Sequence, residues 1–130
     1  MHAREWESVS DKATLETMEE IVATLQRGFL VEHRFTNLQL KASWKQNAGH
    51  QLCAKANDLN LPASFMVIGV NDDGSPCRKD ETWAKTQELE ISQHLNQYLD
   101  PSLTCTAVRA IDCADYWIII IAVSNPGAAV

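Results

Sequence analysis

Apolar residues recur along this chain with two different spacings, and each change of spacing marks a new element. Over residues 10–28, Leu15, Met18, Val22 and Leu25 fall three and four apart, and Ile21 widens the stripe. That pattern predicts an amphipathic helix. Ser10 or Asp11 suits its start, Arg27 its last turn, and Gly28 its stop. Residues 36–43, TNLQLKAS, alternate instead: Leu38 and Leu40 point one way, Gln39 and Lys41 the other. A half-buried strand alternates in this way. Ala48, Leu52, Ala56 and Leu59 return to helical spacing over 47–59, and Pro62 closes that helix. Phe65, Met66, Val67, Ile68 and Val70 then form a short apolar run broken only by Gly69, and Asn71-Asp72-Asp73-Gly74-Ser75-Pro76 ends it. This predicts a strand buried on both faces, followed by a tight turn, with Gly69 marking a close approach by another group. Residues 83–99 predict a third helix, with Leu89, Leu95 and Leu99 on its apolar face beside Ile91 and Tyr98. Residues 103–110 and 116–123 predict two strands joined by a hairpin turn at 112–115. The order α-β-α-β-α-β-β predicts an α+β fold: a mixed sheet of about four strands with helices packed on it.

Composition narrows the class. The chain has 130 residues, 45% hydrophobic and 22% charged, which suits one globular core. No apolar run approaches the roughly 18 residues of a membrane helix, and the charged start, MHAREWESVSDK, lacks the apolar core of a secretory signal. Cys53, Cys77, Cys105 and Cys113 form no CxxC pair, which predicts reduced thiols and a cytoplasmic protein. The net charge of −6 argues against indiscriminate nucleic-acid binding, but it is unevenly spread. Residues 33–57 contain no Asp or Glu and hold Arg34, Lys41, Lys45 and Lys55. Such an island supplies phosphate contacts inside an acidic protein, or is simply an uneven solvated surface.

Several motifs in fixed order carry a resemblance. Gln39-Leu40-Lys41, Ala56-Asn57, Ile68-Gly69-Val70-Asn71-Asp72-Asp73-Gly74, Leu99-Asp100-Pro101 and the final strand before Ser124-Asn125-Pro126 follow one another. In that order they resemble the AlbA-type domain of Schlafen proteins and bacterial regulators, also catalogued as a divergent ATPase-like domain. The resemblance spans about residues 29–126, leaving 1–28 as an N-terminal tail and helix and 127–130 as the start of a linker or a truncated end of a larger protein. It implies a DNA- or RNA-binding module. Some members of that family resemble metal-dependent ribonucleases with three acids. The corresponding positions here are Arg34, Gln39 and Asn71, none of them acidic. A hard divalent cation needs anionic oxygens, so the departure points to binding without catalysis.

The candidate nucleic-acid-binding residues are therefore Arg34, Gln39, Lys41, Trp44, Lys45, Lys55 and Asn71. The cations would meet phosphates, and Trp44 would stack on an unpaired base. Trp44 reads equally as a core residue. Asp72 and Asp73 are weak candidates for a rebuilt metal site, and with Asn71 they read more simply as turn formers. His33 and His50 lack a second ligand at metal spacing, which favours structural roles. No nucleophile motif and no Walker loop is present, and no cofactor is implied. The expected partner is DNA or RNA, with a homodimer or fusion to further domains as additional possibilities and no membrane. The alternatives are a metal-dependent endoribonuclease with displaced acids, and a protein-interaction domain that has lost nucleic-acid binding.

Overall fold

The computed structural model describes residues 12–27, 38–45, 63–98 and 104–124. Its elements are α1 (Lys12–Gln26), β1 (Leu38–Lys41), β2 (Ala63–Ile68), α2 (Glu81–Tyr98), β3 (Thr104–Asp112) and β4 (Trp117–Ser124). The helix expected over 47–59 lies outside the described residues, as do Arg34, Lys55, His33 and His50.

The four strands form one mixed sheet in the order β1-β2-β4-β3. β1 and β2 run parallel, with Lys41 beside Ile68, as a β–α–β passage predicts. β4 lies between β2 and β3 and is antiparallel to both. The two central strands are therefore those with the longest unbroken apolar runs, FMVI in β2 and WIIIIAV in β4. Both of their faces are covered, which removes the need for polar alternation.

Two core clusters follow from that parity. On one face, Phe65 and Val67 of β2 and Ile118, Ile120 and Ala122 of β4 join Leu38 and Leu40 of β1, against Met18, Ile21, Val22 and Leu25 of α1. The alternate residues Met66, Ile68, Ile119, Ile121 and Val123 face the other way, against Ile91 and Leu95 of α2. Met18, Ile21, Val22 and Leu25 of α1 face the core as expected, and the Leu15 side chain lies outside the described residues. Helix α1 ends at Gln26, so Arg27 follows the helix rather than occupying its last turn.

On the apolar face of α2, Leu89 departs from the expectation, while Leu99 and the Tyr98 side chain lie outside the described residues. Ala84, Ile91 and Leu95 are fully buried, whereas Leu89 is 62% exposed. Steps of seven and four from Ala84 define the inward stripe, and Leu89 sits about 100° or more around the helix from Glu88 and Leu95. Asp80 starts this helix: its Oδ1 accepts the Trp83 N–H at 2.9 Å, a capping bond.

Candidate functional site

The registers place Lys41 and the corner that begins at Asn71 at one end of the sheet, whereas Gln39 lies within β1. Lys41 is beside Ile68, Ile68 beside Ile119, and Asp112 beside Trp117. The carboxyl ends of β1, β2 and β3 and the amino end of β4 therefore coincide. Ligands of open α/β sheets favour the carboxyl ends of parallel strands, where loops converge.

The corner after β2 is a compact turn. Val70 bridges to Pro76, and the Cys77 N–H donates to the Gly69 carbonyl at 2.9 Å. The Gly74 N–H donates to the Asn71 carbonyl at 2.9 Å. Asp73 Oδ1 accepts from both the Ser75 N–H at 2.9 Å and the Ser75 hydroxyl at 2.6 Å. Those two bonds, the hydroxyl first, hold the Asp73 carboxyl below its usual 3.8. Asn71 Nδ2 donates to Ser75 Oγ, and its Oδ1 accepts from the Cys77 thiol at 3.4 Å. Asn71 and Asp73 thus act on the turn itself. Among the described residues, no three His, Cys, Asp or Glu side chains gather where they could hold a metal. Asp72 and Asp73 therefore lack a third ligand there.

β1 is joined to this corner through its backbone. The Lys41 carbonyl accepts from the N–H groups of Gly69 at 2.8 Å and Val70 at 3.2 Å. Lys41 is half-buried and Lys45 exposed. Trp44 between them is not available for stacking: it is 9% exposed and packs with Met66 and Ile68. Its indole Nε1 donates to His94 Nδ1 at 3.2 Å. The chain bends at Ala42 and Ser43, which turns Trp44 back over the sheet. Gln39 is half-buried, and its Oε1 is buried without a hydrogen-bond partner, as is the Ser64 hydroxyl.

Gly69 is a point of close approach, and the approaching group is an aromatic ring. Its φ is +99°, and a Cβ there would lie 3.1 Å from Trp83 Cη2. Lys79 Nζ stands 5.8 Å from the centre of that ring, and Lys85 Nζ stands 5.5 Å from the Trp117 ring. Both distances are within cation–π range. The Trp117 N–H donates to the Lys79 carbonyl at 2.8 Å, joining the loop before α2 to the start of β4.

Between residues 78–81 and 114–117 lies an open cleft of ≈ 260 Å³. Arg78 (φ 59°) and Ala114 (φ 78°) stand on its two sides, both in the left-handed region. Tyr116 also lines it, and burial is the first cause of its hydroxyl pKa standing above 10.0, while Arg78 pulls it down. Arg78, Lys79, Lys85, Tyr116 and Trp117 were not among the sequence candidates. The spacing of Lys79 four residues before Trp83 hints at one of the pairs; the others need the sheet register.

The chain is thus an α+β domain with a mixed four-stranded sheet, and loops gather at the end where β1, β2 and β3 finish and β4 begins. No family model, no curated protein and no solved structure matches this chain.

Proposed function

We propose that the chain is a nucleic-acid-binding module of the Schlafen AlbA-like kind, non-catalytic and serving a regulatory or sensing role within a larger protein. One observation carries this reading. Lys41, the last residue of β1, and Lys45, four residues on, are the two described cations of the acid-free segment, and Lys41 pairs with Ile68 at the end of the sheet that carries the 69–77 corner. Asp72, Asp73, Asp80, Glu81, Asp112 and Asp115 share that end, so the field there is mixed. A mixed field weakens grip on a densely charged duplex more than on a single strand. The module is therefore assigned to unpaired DNA or RNA.

Fluorescence anisotropy of labelled single- and double-stranded oligonucleotides across a salt series tests this. Two phosphate contacts on a single strand give a log–log salt slope of about −1.4. Lys41→Ala with Lys45→Ala removes that slope and most of the affinity. Binding that survives the double substitution unchanged overturns the reading. Manganese-dependent cleavage lost in Asp72→Ala would instead make the chain a nuclease. Absence of both binding and cleavage would leave a protein-interaction domain.

A further inference from the structure

We infer that the cleft between residues 78–81 and 114–117 is a subsite for a single unpaired base bearing an exocyclic amino group, cytosine being the simplest case. The inference rests on the nucleic-acid reading above and names the part of the ligand that this end of the sheet selects.

Size comes first. At ≈ 260 Å³ the cleft falls just below the range of drug-sized pockets, about 300–1,000 Å³, and is of a size with one planar heterocycle. Its surface suits a base. Trp117 and Tyr116 are half-buried aromatic residues lining it, and aromatic side chains are the usual platforms for unpaired bases. Trp117 is already anchored through its N–H to the Lys79 carbonyl at 2.8 Å and by Lys85 at 5.5 Å from its ring. Little ordering is left to be lost on binding.

The charges decide which part of a nucleotide enters. Arg78 and Lys79 face three carboxylates, those of Asp80, Glu81 and Asp115. Asp80 is engaged in capping α2, which also satisfies an N–H that would otherwise attract an anion. Glu81 and Asp115 are exposed, and among the described residues neither carboxylate accepts a hydrogen bond. With Lys85 at the Trp117 ring, the three cations only balance the three carboxylates, so the cleft carries no net positive charge to draw a phosphate in, and the phosphate is left to Lys41 and Lys45. A carboxylate is the natural acceptor for the amino group of cytosine. Uracil presents a carbonyl lone pair at the same place and is disfavoured.

The test uses the whole chain and two mononucleotides, CMP and UMP. The indole N–H of Trp117 is followed by NMR, its signal identified by its loss in Trp117→Phe. CMP is expected to shift it saturably, with at least about fivefold higher affinity than UMP. Glu81→Gln with Asp115→Asn, two exposed and conservative changes, brings the ratio close to one without unfolding the protein. Equal affinities for CMP and UMP, or no saturable shift at Trp117, would overturn the inference. Lys41→Ala with Lys45→Ala separates it from the broader reading. CMP discrimination persists in that variant if the cleft is a base subsite, whatever becomes of oligonucleotide binding.

Discussion

Asp73 shows how a residue that looks like a ligand becomes part of the scaffold. Its carboxylate accepts two bonds from Ser75, and they hold its pKa below 3.8. A depressed carboxyl contributes stability above its unfolded value of 3.8 and loses that contribution as pH falls through the lower folded value. The 71–75 turn therefore keeps its geometry at neutral pH and loosens in acid. Ser75→Ala removes the hydroxyl bond, the larger cause, and moves the Asp73 pKa up toward 3.8; a carboxyl-carbon NMR titration reads this directly. An unmoved pKa would mean that the turn backbone, not Ser75, sets it. That this stretch is a corner is legible in the sequence, because Asn, Asp, Gly, Ser and Pro cluster there. Which oxygens face a neighbour inside the turn is not. Trp44 is the converse case: flanked by lysines in sequence, it is drawn inward by Met66, Ile68 and His94, residues distant along the chain.

Among the elements, β2 and β4 were the most legible, since a strand covered on both faces needs a continuous apolar run. Their adjacency was not. Sequence order puts α2 and β3 between them, and only pairing places β4 in the gap. The stripe of α2 was half legible: Ile91 and Leu95 face the core as expected, while Leu89 lies off the stripe and faces solvent. Gly69 ties β2 to α2. Its φ of +99° strains any side chain, and a Cβ 3.1 Å from Trp83 would require that ring to give by a few tenths of an ångström. The Trp117 carbonyl lies 3.4 Å away on the backbone side. Gly69→Ala combines left-handed strain with displacement of the Trp83 ring and is expected to cost about 2 kcal/mol. Urea unfolding followed by tryptophan fluorescence measures it. A loss well under 1 kcal/mol would show that the ring yields freely and that the 69–77 corner is not braced by it.

For the whole molecule, the open question is what a sheet with two outer strands does with its unpaired edges. Among the described residues β3 pairs only with β4, and its nine residues, TCTAVRAID, are rich in β-formers. An edge of this length and composition invites a second copy to add a strand. Two side chains oppose that. Glu88 of α2 reaches down so that its Oε2 accepts the Ala110 N–H at 2.6 Å, and Arg109 Nη1 donates to the Val108 carbonyl at 2.9 Å. Val108 and Ala110 are two apart and present their backbone groups to the same side. One donor and one acceptor of the outer edge are therefore already occupied, by groups of opposite charge. A homodimer, expected as one option from sequence, would have to displace them if it formed by extending the sheet through β3. Glu88→Ala reopens the edge at a cost of about 1 kcal/mol, because the freed amide can turn to water. Its expected signature is faster hydrogen exchange at Ala110, with a concentration-dependent rise in mass by light scattering that the parent chain lacks. If exchange quickens and the mass stays monomeric, Glu88 only stabilises the helix–sheet contact, and the edge is kept apart by some other feature. If neither changes, the 2.6 Å contact does not persist in solution and offers β3 no protection.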